Sequence, residues 1–214
     1  MIGFMIGGKH TYKDWGLRCK DYKITLPKRQ KNLFQVPGRN GKIDMSLPEQ
    51  SEAYEHRKIE IYCDAPDRNY EQWTNLVSDI ANYVQDEYLS ITPDFDEDWF
   101  YRGWVTISPS KNWKEGSDIV FTIDAEPYKL KQNETVVAIA GTDAGVIKVL
   151  SNAKRKVAPK LTTDAEVTVE IGDSSITYAA GTYSDKRFTL SAGETVIIVK
   201  GKANVTIEYQ EAKL

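Results

Sequence analysis

Apolar and polar residues alternate along much of this chain, most clearly from Tyr54 to Cys63, where Ile59, Ile61 and Cys63 fall on one face and Lys58, Glu60 and Tyr62 on the other. That period of two predicts a strand with one covered face. Phe4-Met5-Ile6 reads as a strand ended by Gly7-Gly8, and His10 to Leu17 continues as extended or irregular chain. Tyr22 to Leu26 alternates and stops at Pro27, which has no amide donor for further pairing. One segment breaks the period. Asn69 can cap a helix with Gln72 in the reciprocal position, and Trp73, Leu76, Val77, Ile80, Ala81, Val84 and Tyr88 recur at helical spacing. Its apolar stripe has to cover a sheet face. Leu89 to Thr92 and Trp99 to Val105 are expected strands around an acidic turn, Trp113 to Ser117 is a further turn, and Ile119, Phe121, Ile123 and Ala125 alternate along another strand.

From Thr135 onward the pattern becomes a series of short β segments: Val136 to Ala140, Val146 to Leu150, Val167 to Ile171, Ser175 to Ala179, Arg187 to Leu190, Thr195 to Lys200 and Val205 to Tyr209. Gly141, Gly145, Gly172-Asp173, Ala180-Gly181, Ser191-Ala192-Gly193 and Lys200-Gly201-Lys202 separate them, which predicts a compact β-sandwich. All five tryptophans precede residue 130, and the later part is rich in Val, Ile, Thr, Ala and Gly. That shift predicts two domains, 1–130 and 131–214, joined within Glu126 to Asn133. The expected class is mainly β.

The stretch from Phe34 to Met45 reads as a hairpin. Pro37 presets the second position of a turn, Gly38 supplies the positive φ that a type II turn needs next, and Asn40-Gly41 repeats the logic. Arg39 stands at the tip, either as an ordinary surface residue or as a contact that docks on another subunit.

Composition narrows the chemistry. Net charge is −3, from 28 basic and 31 acidic residues, so nothing global favours sequence-specific nucleic-acid binding. No apolar run approaches membrane length, and Met1 to Ile6 is too short for a signal-peptide core. Cys19 and Cys63, 44 positions apart, give neither a disulfide framework nor a metal-ligand spacing and read as small buried hydrophobes. His10 has no companion ligand nearby in sequence, and Lys28-Arg29-Gln30-Lys31 lacks the aromatic platforms or glycine cradle of an anion site.

Three charged features remain as candidates. Asp94, Asp96 and Asp98 crowd one turn, but a calcium loop counted from Asp94 would need Gly and Glu where Trp99 and Val105 stand. Acid and base work in glycoside hydrolysis, with Trp99 and Trp104 stacking on sugar, needs a second carboxylate opposite, and none is placed there. No catalytic residue, cofactor site or metal site is therefore assigned. Lys154-Arg155-Lys156, with Lys160 nearby, forms a basic loop that is either simply solvated or a contact to an acidic neighbouring protein. In the second part Tyr178, Tyr183, Phe188 and Tyr209 are either core or platforms for a host cell-wall glycan, which keeps a carbohydrate-binding module as the alternative function.

Taken in order, Gly8-Lys9-His10 through Asp14-Trp15-Gly16-Leu17, Val36 to Asp44, Tyr54 and Arg57 before a strand, the Trp73 to Val84 helix, the Asp96 to Trp104 hairpin and Leu190-Ser191-Ala192-Gly193-Glu194 resemble the distal tail proteins of long-tailed phages and prophages with non-contractile tails. The resemblance implies a tail-tube-like first domain that forms a homo-hexameric ring, and a galectin-like second domain. It further implies a non-enzymatic baseplate hub between the tail tube protein and the tail-associated lysin or other tail-tip parts, assembled in the host cytoplasm and carried at the virion tail tip. In that setting Pro37-Gly38-Arg39-Asn40-Gly41 becomes a subunit-contact loop, and Asp94, Asp96, Asp98, Lys154, Arg155 and Lys156 become charges that face partners. Residues 131–214 leave no room for the large extension some relatives use to grip receptor-binding proteins, so the tube-to-tip hub is the expected role.

Overall fold

The computed structural model describes residues 2–44, 53–65, 69–112 and 116–214. The chain divides into two compact units, Met1–Lys129 with Leu214, and Leu130–Lys213. Met45 and the turn expected around Trp113 lie outside the described residues.

The first unit contains β1 (Phe4–Ile6), β2 (Lys9–His10), β3 (Arg18–Ile24), β4 (Leu33–Phe34), β5 (Ile43–Asp44), β6 (Arg57–Asp64), α1 (Tyr70–Val84), β7 (Glu87–Pro93), β8 (Trp99–Asn112) and β9 (Gly116–Ala125). Seven of the strands lie side by side in the order β2-β1-β7-β8-β9-β6-β3, while β4 and β5 form a two-stranded sheet of their own. Along β6 the expected alternation holds: Arg57, Ile59, Ile61 and Cys63 are buried, and Lys58, Glu60 and Tyr62 are not. Ile119, Phe121, Ile123 and Ala125 continue that covered face on β9 and are completely buried.

Helix α1 lies over this face because of its stripe of Trp73, Leu76, Ile80 and Val84. It begins where the sequence predicts. Asn69 Oδ1 accepts the Gln72 N–H at 2.8 Å and Gln72 Oε1 accepts the Asn69 N–H at 3.3 Å, a reciprocal capping box. Asn69→Ala is expected to lower thermal stability by about 1 kcal/mol, read from a tryptophan-fluorescence melt.

The helical period does not extend to Tyr88. The chain leaves the helix at Gln85, Asp86 takes a left-handed conformation with φ of 58°, and Tyr88 sits in β7 opposite Trp104. Beyond the Glu87–Val105 pair, β8 runs on to Asn112 with β9 on one side and, among the described residues, no strand on the other. There the Gln85 side chain accepts the Ile107 N–H at 3.1 Å, and the next equivalent position is Pro109, which has no N–H.

The second unit contains β10 (Lys129–Lys131, of which Lys129 counts with the first unit), β11 (Thr135–Ala140), β12 (Val146–Asn152), β13 (Lys160–Thr163), β14 (Val167–Ile171), β15 (Ser174–Tyr178), β16 (Gly181–Ser184), β17 (Gly193–Lys200), β18 (Asn204–Tyr209) and β19 (Ala212–Lys213). Its two four-stranded sheets run β11-β18-β13-β16 and β12-β17-β14-β15, and all their pairings are antiparallel. Inward residues of both, among them Leu161, Val205 and Ile207 on one and Leu150, Val169 and Ile197 on the other, share a core. The class is mainly β, as expected, but the strand list needs correction. Arg187 to Leu190 is a turn and a single bridge, because Asp185 accepts both the Arg187 backbone N–H and its guanidinium. Lys160–Thr163 and Gly181–Ser184 are strands instead, paired through Leu161 and Tyr183.

Candidate functional site

The part of the chain least explained by its own packing is an arm that leaves the first unit between β3 and β6. Its stem prolongs that strand pair: the Thr25 N–H bonds Lys58 O at 3.0 Å, Glu55 N–H bonds Lys28 O at 2.8 Å, and Gln30 N–H bonds Ala53 O at 2.8 Å. Further out, β4 and β5 pair Leu33 with Asp44 and Phe34 with Ile43. The turn forms as predicted on its first half, with the Arg39 N–H on Val36 O at 3.2 Å and Gly38 at φ of 80°. Gly41 also has positive φ while Asn40 does not. Arg39 is exposed at the tip.

Around it apolar side chains face water. Leu26 is 77% exposed, Leu33 47% and Phe34 55%. A two-stranded hairpin by itself is marginally stable in water, and an arm whose hairpin and stem together expose three large apolar residues has a surface suited to another protein. Reading the sequence placed the turn but missed this apolar flank. The signal was present as Leu33-Phe34 beside an unbroken polar run, Lys28 to Asn32.

The acidic turn is mostly committed within its own unit. His10 is buried at 5% exposure, and its Nδ1 accepts the N–H groups of Tyr12 and Lys13 at 3.0 and 3.1 Å. That leaves the ring proton on Nε2, which points at both oxygens of Asp94 at 3.1 Å. The histidine therefore has a partner, 84 positions away, that spacing along the chain could not reveal. Asp96 is paired with Lys129, whose ammonium also sits 5.6 Å from the Trp99 ring centroid. Asp98 is exposed. Two of the three carboxylates thus bind the turn to neighbouring strands.

Trp99 is buried at 8% and Trp104 is exposed at 51%, edge-on to Tyr88 with centroids 5.4 Å apart. Tyr88 donates to Glu126, and desolvation together with that carboxylate pushes its hydroxyl up to about 12. Arg57 is 2% exposed, donates to Pro127 O and lies 5.3 Å from the Tyr101 ring centroid. Burial lowers its pKa from the usual arginine range. Among the described residues no group of three His, Cys, Asp or Glu side chains could hold a metal ion.

In the second unit the basic loop has a fixed backbone. Asn152, buried at the end of β12, donates to Arg155 O at 2.7 Å and to Leu190 O and Ser191 O at 3.3 and 3.2 Å. Lys154 N–H bonds Ala212 O at 3.0 Å. Lys154, Arg155 and Lys156 are exposed, whereas Lys160 stands on β13 and pairs with Glu208 at 2.9 Å. Tyr178, Phe188 and Tyr209 are buried and Tyr183 packs on them, so these four aromatics are core and not glycan platforms.

No family model and no curated protein matches the chain. Among solved structures it is similar to the crystal structure of the SPP1 Dit (gp 19.1) protein, described as a paradigm of the hub adsorption apparatus in phages infecting Gram-positive bacteria, with a TM-score of 0.73, 12% identity and all of both chains covered. It also matches a chain of the phage p2 baseplate in its activated conformation with Sr, at a TM-score of 0.44 and 10% identity over 98% of each. The resemblance read from the sequence is thus a resemblance of fold, and over its whole length this chain has the fold of the SPP1 Dit protein.

Proposed function

We propose that this chain is a structural tail-tip hub protein of a phage or prophage. In this reading residues 1–130 associate into a homo-hexameric ring that continues the tail tube, and the assembled hub receives the tail-associated lysin or other tail-tip proteins. It acts by contact and not by catalysis. The fold of a phage hub adsorption protein supports it, and the observation that carries it is the arm. The exposed Leu26 lies on its stem and Leu33 and Phe34 on a hairpin outside the main sheet, with an exposed guanidinium at its tip. Burial of those side chains against the next copy supplies affinity, and Arg39 supplies a donor to a carboxylate. In this reading Asp98 and the Lys154-Arg155-Lys156 loop are exposed charges that face partners.

The test is the assembly state of the purified chain by light scattering and negative-stain electron microscopy, alone and with the tail tube protein. Rings are expected. Leu33→Ser with Phe34→Ser, and separately Arg39→Glu, are expected to weaken assembly at least tenfold with an unchanged melt of the monomer. A wild-type chain that stays monomeric in both settings sinks the reading, and rings unaffected by either variant remove the arm from it.

A further inference from the structure

We infer that Cys19 and Cys63 are a modification site: a dithiol that a small-molecule disulfide oxidises to an intramolecular disulfide in the folded chain, pinning the outermost strand of the first unit's sheet to its neighbour. This goes beyond the hub reading and needs nothing from it.

Both cysteines are free thiols, and they stand directly opposite one another on β3 and β6. The hydrogen-bond pattern fixes which kind of pair they make. Just past the end of β6 the Ala65 N–H bonds Ser117 O, toward β9, whereas on β6 Lys58 O accepts the Thr25 N–H, toward β3. Odd-numbered residues of β6 therefore direct their backbone groups to β9 and even-numbered ones to β3. Cys19 and Cys63 form a non-hydrogen-bonded pair, in which Cα atoms approach to about 4.5 Å and the side chains are closest. That separation falls inside the roughly 4.4–6.8 Å window that a disulfide spans. The strand irregularity lies just beyond, between Cys19 and Asp21, where the Lys20 ammonium is held by Asp118 at 2.6 Å and Asp64 at 3.8 Å.

The two thiols are not equivalent. Cys63 is 1% exposed within the core, while Cys19 is half-buried at the sheet's edge. The Cys63 thiol hydrogen-bonds the Cys19 sulfur, which holds Cys19 below the usual thiol range. The same contact, together with burial, pushes Cys63 up. Cys19 is thus the accessible, more acidic attacker and Cys63 the resolving thiol. The Cys19 thiolate attacks one sulfur of the oxidant and releases one small thiol. Cys63 then loses its proton to solvent and displaces the second small thiol from Cys19. Two thiols and one external disulfide become one internal disulfide and two external thiols.

The result clips β3, an edge strand and one side of the arm's stem, onto β6. The experiment incubates the reduced full-length chain with glutathione disulfide at neutral pH without denaturant, then reads intact mass and alkylation after unfolding. The expected product lacks two hydrogens, retains no glutathione and has no alkylatable thiol. Its tryptophan-fluorescence melting midpoint is raised by roughly 10 °C, and a phosphine reductant reverses the change. Cys63→Ser is expected to stop at a glutathione adduct on Cys19, and Cys19→Ser to gain no internal disulfide. If either variant fails to fold, the wild-type mass alone decides. Retention of both thiols, arrest of wild type at a glutathione adduct, or disulfide-linked dimers would each overturn the site. An internal disulfide with an unmoved midpoint would overturn the pinning.

Discussion

Phe121→Ala is expected to cost the first unit about 4 kcal/mol and to lower its melting midpoint on the order of 15 °C. Phe121 is completely buried, sits between Ile61 on β6 and Ile107 on β8, and stacks on Trp15 with centroids 5.8 Å apart and planes 13° from parallel. Trp15 in turn meets Tyr83 of α1 edge-on at 6.1 Å. Removing the ring leaves a cavity bounded by three separate elements, each held by its own hydrogen bonds, so the site cannot collapse to fill it. Tryptophan emission is the natural probe, because all five tryptophans precede residue 130. A loss under about 1 kcal/mol would mean that the core there repacks freely.

Gly3→Ala is expected to cost about 3 kcal/mol, through steric conflict and the loss of a buried polar pair. A Cβ at Gly3 would stand 2.4 Å from His10 Cε1, 2.7 Å from His10 Nε2 and 2.7 Å from Asp94 Oδ2. The imidazole cannot withdraw easily, since its other nitrogen accepts the backbone N–H groups of Tyr12 and Lys13. The methyl group therefore wedges the His10–Asp94 pair apart and frees the β7–β8 turn from the N-terminal strands. Urea titration of Gly3→Ala beside His10→Ala checks this. If the pair is the origin of the loss, adding Gly3→Ala to His10→Ala should cost much less than Gly3→Ala alone.

Local features were legible in the sequence because the interactions that fix them are local. The Asn69–Gln72 box, the alternation along β6 and the Pro37-Gly38 turn each depend on residues within a few positions of one another. Where periodicity misled, a neighbour intervened. Tyr88 keeps helical spacing only if Asp86 stays right-handed, and Phe188 and Leu190 alternate like a strand only if Asp185 does not capture Arg187 first. The site features that stayed hidden all join distant positions. His10 meets Asp94, Asp96 meets Lys129, and Cys19 meets Cys63, each through tertiary contact that no spacing rule encodes. Asn152 was hidden for another reason: an asparagine at a strand end between Ser151 and a basic run carries no sign that three carbonyls await it.

The side of β8 that no strand covers among the described residues bears on how copies of this chain can meet. A strand whose open edge accepts another copy's strand offers the same edge again with every addition, and such growth has no natural end. Here the Ile107 donor is already taken by Gln85, and Pro109 has none to give. Sheet extension along that side lacks the first two donors a ladder would use. The ring proposed above, joined through side chains and the arm, makes no use of this edge, and such a geometry can close on itself after a fixed number of members instead of lengthening into a fibre.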